Sequence, residues 1–310
     1  MKIFFLSLFF IVNVFASSFD EGVKAFQNKD YLKAYNIFEN LALKNDINAQ
    51  YNTALMAYTG YGDLKQDLQK AFIWYEKAAQ NGHMVAQNNL AHMYFMGEYV
   101  KKDIDKAIYW YKKSALQGYA LAQLNLAMLY ESKASKKYLE KAFYWYKKAA
   151  DQNVIIAQNN LGEIYYHGKG VKKDIEKAIK WFTKAANANN PVAQYNLALH
   201  YKQGDGVDVD IKKAIDLLTK SANANYLRAI VRLADIYREG KFVDQDYKKA
   251  FKLYKKAAQQ NSLKSLYFLG LMYYHGYGVN VNKQKAIQYM NEAKNKGYKR
   301  AMNFLKVHNL

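Results

Sequence analysis

The 310-residue sequence contains no cysteine and only one proline. Disulfides, cysteine nucleophiles and a lipid-modified N-terminal cysteine are therefore excluded. The single proline also excludes long proline-rich linkers between domains. Acidic residues are few: there are 26 of them and 46 lysines and arginines, so the formal net charge is +20. This imbalance favours acidic partners.

Motifs of common hydrolases are also missing. No serine is followed three residues later by lysine, the pair that β-lactamases and transpeptidases need. There is no Gly-x-Ser-x-Gly elbow and no His-Glu-x-x-His motif. His167 and His275 are equivalent positions three repeats apart, too distant to share a metal ion, because packed helices lie about 8–10 Å apart. We therefore predict no catalytic residue, no metal site, no cofactor and no enzymatic activity.

The N-terminus has the pattern of a secretory signal. Met1-Lys2 is basic, the stretch from Ile3 to Val14 is almost entirely apolar, and Val14-Phe15-Ala16 offers small residues to a signal peptidase. The alternative is an uncleaved anchor, but the apolar run of about a dozen residues is well below the roughly 20 that a spanning helix needs. We predict a signal peptide at residues 1–16, cleavage after Ala16, and a mature protein in the periplasm or outside the cell, without a transmembrane helix.

A Lys-Ala pair recurs eight times, at intervals of 35 to 37 residues. The pairs are Lys33-Ala34, Lys70-Ala71, Lys106-Ala107, Lys141-Ala142, Lys177-Ala178, Lys213-Ala214, Lys249-Ala250 and Lys285-Ala286. A period this regular indicates one small helical element per repeat, stacked on its neighbours. Such stacks present long surfaces, which favours binding over catalysis.

Each of these alanines marks the second helix of a repeat. Apolar residues follow it at the spacing of one helix face, as in Ala178, Trp181 and Phe182. An aspartate or asparagine that is suited to cap the helix stands four residues before the marker, except at Tyr138. Glycine or asparagine, which tolerate the left-handed conformation that ends a helix, stands eleven residues after it. The second helix is therefore predicted to be about 13 residues long.

The first helix of each repeat combines small and large apolar residues, such as Ala86, Leu90 and Tyr94. Glycine turns such as Gly60-Tyr61-Gly62 close most of these helices. The repeat that contains residues 131–137 lacks those glycines and is one residue short, so we expect an altered turn there. The predicted fold is all-α: an α/α superhelix, or solenoid, of about eight antiparallel hairpins with a single helix at the C-terminus.

Strings such as KAFIWYEKAAQNGHMVAQNNLAHMYFMG at 70–97 resemble the Sel-one-like repeat family, relatives of the tetratricopeptide repeats. The resemblance implies a right-handed superhelix that acts as a scaffold or adaptor. It predicts a tetratricopeptide-like hairpin at 17–48, seven repeats within 49–300 and a capping helix at 301–310. The seven repeats are predicted at 49–85, 86–121, 122–156, 157–192, 193–228, 229–264 and 265–300. Exported bacterial members are often cysteine-rich, and some carry a claimed β-lactamase or penicillin-binding activity, but this chain lacks the cysteines of that branch.

A row of asparagines recurs three positions after the leading alanine of the first helix. The candidate binding residues in this row are Asn52, Asn89, Asn125, Asn160 and Asn196. An amide both donates and accepts, so such a row is able to pair with an extended peptide backbone. The alternative, which we favour, is that each amide bonds to a neighbouring loop and is structural. The row ends at Arg232 and Phe268.

A basic row and an aromatic row lie on the second helices. The basic residues are Lys77, Lys113, Lys148, Lys184, Lys220 and Lys256, and the aromatic ones are Trp74, Trp110, Trp145 and Trp181. The lysines form either a solvated helix face or a surface for an acidic protein or envelope polymer. The tryptophans share the apolar phase of the helix, which favours packing over sugar stacking.

These features favour an exported, monomeric scaffold or adaptor that binds a protein or peptide on its concave surface. The basic rows favour an acidic partner, and the signal peptide argues against nucleic acid. Two alternatives remain open: an envelope hydrolase of the β-lactamase or penicillin-binding type, and a basic surface binder of acidic envelope polymers.

Overall fold

The computed structural model describes residues 18–310, so the predicted signal peptide at 1–16 lies outside the described residues. Every regular element within 18–310 is an α-helix, and consecutive helices form antiparallel hairpins. This confirms the predicted all-α solenoid. The chain divides into two compact units, one ending at Val154 and one running from Ile155 to Leu310.

The first unit consists of hairpins in which each odd-numbered helix is followed by an even-numbered one. Its helices are α1 (18–27), α2 (Tyr31–Leu43), α3 (Ile47–Thr59), α4 (Leu68–Gln80), α5 (Met84–Met96), α6 (Ile104–Leu116), α7 (Ala120–Ser132) and α8 (Lys136–Asp151). From α2 to α8, each helix packs against the next. The odd helices form one layer and the even helices the other.

The second unit repeats this arrangement and adds a final helix. Its helices are α9 (Ile155–His167), α10 (Ile175–Asn187), α11 (Pro191–Gln203), α12 (Ile211–Asn223), α13 (Leu227–Glu239), α14 (Tyr247–Ala258), α15 (Leu263–His275), α16 (Lys283–Asn295) and α17 (Lys299–Val307). From α9 to α17, each helix packs against the next.

The predicted N-caps of the even helices are confirmed. Each cap side chain accepts a hydrogen bond from the backbone N–H three residues later, at 2.8–3.2 Å. The capping residues are Asp30, Asp67, Asp103, Asp174, Asp210, Asp246 and Asn282. Helix α8 is the predicted exception: it begins three residues earlier than the pattern, after Ser135, and is 16 residues long.

The predicted C-terminal stops are also confirmed, because all eight have positive φ. They are Asn45, Gly82, Gly118, Asn153, Asn189, Asn225, Asn261 and Gly297, with φ between 61° and 93°. Most odd helices instead end at a left-handed glycine, for example Gly204 at φ 72°. The repeat without glycines has the altered turn that the sequence predicted, since only residues 133–135 separate α7 from α8, and Ala134 adopts φ 51°.

Small residues allow the two helices of a hairpin to approach closely. In α5, Ala86, Leu90 and Ala91 are fully buried. In α9 the equivalent of Ala91 is Gly162, where a Cβ would lie 2.7 Å from the ring of Phe182 on α10. The bulk of the facing residue therefore determines how small the odd-helix residue must be.

Buried glutamines link four of the odd helices to the neighbouring hairpins. We call Gln50, Gln87, Gln123 and Gln194 the clamp glutamines, because each donates from Nε2 to a carbonyl in the last turn of the preceding even helix, at 3.0–3.4 Å. In the first unit their Oε1 atoms accept from the residue after the next even helix, namely Asn81, Gln117 and Gln152. Each of these glutamines thus satisfies its donor and acceptor across two interfaces.

None of the helices formed by residues 18–310 has the length and apolar character that crossing a bilayer requires.

Candidate binding surface

The predicted asparagine row lies on the odd-helix layer, and in the first unit it forms a hydrogen-bonded chain. Asn125 of α7 donates to Asn88 of α5 at 3.1 Å, and Asn88 donates to Asn89 at 3.1 Å. Asn89 in turn donates to the hydroxyl of Tyr75 on α4 at 3.2 Å. The amides are thus held by side chains of neighbouring helices, whereas we had expected neighbouring loops. Asn52 is half-buried at the corresponding position of α3.

The second unit holds the remaining two predicted asparagines in a similar way. Asn160 accepts from Asn159 at 3.3 Å. Asn196 of α11 donates to Glu163 of α9 at 2.6 Å and to Asn159 at 3.4 Å. All five predicted asparagines are partly exposed, so a bound peptide is able to reach them. A binding role for the row stays a prediction.

The predicted basic row lies on the even helices, where most of its lysines contact aromatic rings. The ammonium of Lys77 lies 4.4 Å from the Trp74 ring, and that of Lys184 lies 4.3 Å from the Trp181 ring. Such contacts stabilise a charge without removing it from water. The other members are placed as follows: Lys113 by Tyr109 and Trp110, Lys148 by Tyr144, Lys220 in an ion pair with Asp216, and Lys256 donating to the Ala222 carbonyl.

The tryptophan row packs in the core, as its helical phase predicted. Trp74, Trp145 and Trp181 are buried, and Trp110 is half-buried. Sugar stacking on their faces is therefore disfavoured.

A groove that the sequence did not predict runs across the odd helices of the second unit. A cavity of about 520 Å³ is lined by residues of α11, α13 and α15, and one of about 320 Å³ by residues of α9, α10, α11 and α13. Both cavities are lined by Tyr195, Leu199, Gln203 and Arg228, so they adjoin. We call the two together the α13 groove. Together its two cavities extend from α9 to α15.

A buried carboxylate orders the end of this groove. Asp235 of α13 accepts from the hydroxyl of Tyr254 at 2.7 Å and from the ammonium of Lys264 at 2.6 Å. The side chain of Arg238 donates from Nε to the same hydroxyl at 3.1 Å and stacks on Phe268, 4.5 Å from the ring centroid. Burial and the neighbouring Asp235 raise the pKa of Tyr254 well above its ordinary value, so its hydroxyl stays protonated and donates.

The opposite end of the groove is formed by aromatic rings and a polar pair. His200 is buried, with its ring 5.0 Å from that of Tyr166 and 5.6 Å from that of Phe182. Beside it, Glu163 contacts His167 at 3.2 Å and accepts from Asn196. One predicted binding residue, Asn196, therefore lines the groove, while the other predicted members do not.

Histidine, aspartate and glutamate side chains do not cluster as a metal site would require anywhere in residues 18–310. The prediction of no catalytic residue and no cofactor stays a prediction.

Comparison with protein families matches seven consecutive segments to the Sel1 repeat. They are residues 47–83, 85–119, 120–154, 155–190, 191–226, 227–262 and 263–298. No curated protein sequence matches the chain.

Two solved structures are similar over most of the chain. A Sel1 repeat protein from Oxalobacter formigenes is 30% identical, with a TM-score of 0.76, over 94% of this chain and 86% of its own. A protective antigen present in uropathogenic Escherichia coli strains, which displays an SLR fold, is 28% identical, with a TM-score of 0.80, over 87% of this chain. This chain spans 58% of the length of the Escherichia coli protein.

Proposed function

The chain belongs to the Sel1 repeat family, and we propose that it is an exported, non-enzymatic scaffold that binds a protein partner on its odd-helix layer. Sel1 repeat folds generally mediate protein–protein interaction. The observation that carries the proposal is the α13 groove, which combines apolar walls with cationic side chains on the odd helices. Ligand sites are concave and use polar groups at fixed positions to orient a ligand against apolar surface.

Export is the second part of the proposal. It is supported by the basic start, apolar run and small residues of positions 1–16. A similar protein of uropathogenic Escherichia coli is a protective antigen, a property that an exported protein is suited to have. We propose the periplasm or the outside of the cell as the location, a monomeric mature chain, and an acidic partner in keeping with the excess of basic residues.

Site-specific photo-crosslinking in the native cell tests the binding face. A photoreactive phenylalanine derivative is placed at Leu199 or at Met128, which lie on odd helices, and in control chains at Asp216 or Tyr109, which lie on even helices. Met128, Asp216 and Tyr109 are all substantially exposed, so a photoreactive side chain at Met128 is about as accessible as one at either control position. We expect protein adducts from the odd-helix positions and few from the controls.

Two results would contradict the proposal. One is an absence of protein adducts at both odd-helix positions, and the other is a stronger adduct at the even-helix controls. For export, the N-terminal sequence of the mature protein is expected to begin at Ser17; an intact Met1 on protein recovered from the cytoplasm would refute the assignment.

A further inference from the structure

Arginine is concentrated at a single helix of this chain. Among 46 basic residues there are only four arginines, Arg228, Arg232, Arg238 and Arg300, and the first three lie on α13. Apart from Arg300 on α17, every basic residue outside α13 is a lysine. A guanidinium differs from an ammonium because its planar fork of donors matches a carboxylate in two parallel hydrogen bonds. Arg238 is engaged by Tyr254, Glu239 and Phe268. Arg228 and Arg232 are therefore the arginines of α13 that point to recognition of a planar anion.

Arg232 stands where the asparagine row breaks. Five earlier repeats carry asparagine at this position, and those in the second unit are bonded within the protein. The Nε atom of Arg232 is buried and has no hydrogen-bond partner among residues 18–310. A buried donor without an acceptor costs free energy, and a charged one more so. The Arg232 side chain is nevertheless partly exposed and lines the groove, so its positive charge is open to a ligand there.

Asp235, the acidic residue nearest to Arg232 in the sequence, is already paired within the protein. Asp235 receives hydrogen bonds from Tyr254 and Lys264, so its charge is balanced within the protein. Burial and the positive charge of Arg232 lower the pKa of Lys202, against the opposing effect of Glu239. Among the side chains that line the groove, Arg228, Arg232 and Lys264 outnumber Asp235 and Glu163, which favours an anionic ligand.

The walls of the groove indicate what carries the anion. Leu199, Leu227 and Val231 supply apolar surface, and Tyr195 supplies an aromatic face. A bare inorganic anion would leave these walls unused, whereas a peptide would cover them with aliphatic or aromatic side chains. The two adjoining cavities also accommodate more than one residue of an extended chain.

We propose that the α13 groove binds an acidic peptide segment of the partner. One aspartate or glutamate carboxylate accepts hydrogen bonds from the guanidinium groups of Arg232 and Arg228, which lie one helical turn apart on α13. A neighbouring apolar or aromatic residue of the segment packs on Tyr195, Leu199 and Val231. This inference rests on the proposed function and assigns the partner's chemistry and its contact residues.

Fluorescence polarisation with a defined probe tests this site. The probe is a fluorescein-labelled decapeptide of alternating glutamate and tyrosine, and its control has glutamine in place of every glutamate. Wild-type protein is compared with Arg232→Asn, which restores the residue of five other repeats, and with Arg228→Gln, which changes an exposed side chain. Lys212→Gln on α12 removes the same charge from an exposed position of the even-helix layer, outside the basic row, and is the matched control.

We expect the glutamate probe to bind wild type more tightly than the glutamine probe. Arg232→Asn and Arg228→Gln should each weaken binding about tenfold or more, because each removes charged hydrogen bonds. Arg232→Lys should bind more tightly than Arg232→Asn but less tightly than wild type, since lysine keeps the positive charge and lacks the planar fork of guanidinium donors. Lys212→Gln should bind as wild type does. Circular dichroism confirms that each variant keeps its helix content.

Three results would overturn the inference: equal affinity for the two probes, full affinity in Arg232→Asn, or binding of inorganic polyphosphate that depends on Arg232 while the peptide does not bind. Crosslinking at Leu199 separates this failure from failure of the proposed function. If Arg232→Asn keeps its native protein adducts at Leu199 but the probe shows no dependence on Arg232, the acidic-peptide site is wrong and the scaffold role stands. If no odd-helix position yields a protein adduct, the scaffold role itself is wrong.

Discussion

Substitution of Ala224 by glutamine is predicted to stabilise the second unit, because one clamp glutamine there lacks half of its partners. In the first unit, Gln117 donates both to Oε1 of Gln87, at 2.8 Å, and to the carbonyl of Gly82, at 3.0 Å. The residue equivalent to Gln117 opposite Gln194 is Ala224, which has no donor on its side chain. As a result, Oε1 of Gln194 is buried without a partner among residues 18–310.

The geometry at position 224 already suits the longer side chain. Ala224 follows α12 with φ −75° and ψ 14°, close to the φ −77° and ψ 0° of Gln117 after α6. Ala224 is also exposed, so the added atoms do not have to displace core residues. In Ala224→Gln, the new amide is therefore expected to donate to Gln194 and to the carbonyl of Asn189, the counterpart of Gly82.

The size of the effect follows from three contributions. Relief of a buried, unpaired acceptor is worth about 1–3 kcal/mol, and a second hydrogen bond adds about 0.5–1.5 kcal/mol. Ordering the glutamine side chain costs roughly 1.5–2 kcal/mol. The net expectation is a stabilisation of about 1 kcal/mol, which corresponds to roughly fivefold slower exchange of amides that open with this interface.

Native-state hydrogen exchange measures this effect where it occurs. Neighbour contacts dominate the energetics of repeat proteins, so slower exchange is expected in α11 and α12 and not in α2 to α4. Ala224→Met, which adds a similar chain without a donor, should give little protection. The reasoning is refuted if Ala224→Met protects equally, or if Ala224→Gln gives the same gain in a Gln194→Ala background.

Three further predictions concern other parts of the chain. His83 caps α5 by accepting from the N–H of Ala86 at 3.1 Å, and burial lowers its pKa below the ordinary 6.5. The stabilisation that neutral His83 gives to α5 is present in full above about pH 6.5 and is lost as the pH falls through the lower folded-state pKa of His83. His83→Asn, whose cap does not titrate, should therefore keep more helix than wild type in an acid titration followed by circular dichroism. Gly162→Ala should lower the free energy of unfolding by about 1–3 kcal/mol in urea, because its Cβ meets the Phe182 ring, and Phe182→Leu should restore part of the loss; an unchanged midpoint would contradict the packing argument. Purified protein should not turn over nitrocefin, and sustained turnover that a single substitution abolishes would establish the hydrolase alternative.

The sequence predicted local features well because they depend on residues close together in the chain. Capping by Asp174 and the left-handed turn at Asn189 involve partners within one helix end, and both positions follow directly from the period. Burial of Trp181 likewise follows from its place on the apolar face of one helix. Such features recur in most repeats, so the pattern in one repeat supports the helix bounds predicted for the next.

The candidate site was less predictable because it depends on contacts between helices. Nothing in the spacing of Asn89 shows that its amide meets Tyr75, or that Asp235 is balanced by Lys264. One signal was available: the row of asparagines ends at Arg232, on the helix that holds most of the arginines. A position where a regular row changes residue type and basic residues change from lysine to arginine indicates a specific site within a repeat surface.

The affinity of the natural partner for two matched variants tests the central claim most directly. Leu199→Glu places a negative charge in the α13 groove, and Leu116→Glu places the same charge on an exposed position of the even helix α6. With the crosslinked partner purified and binding measured by calorimetry, Leu199→Glu is expected to weaken the complex at least about tenfold, about 1.4 kcal/mol, while Leu116→Glu leaves it unchanged. Full affinity in Leu199→Glu, or a loss confined to Leu116→Glu, would contradict binding on the odd-helix layer.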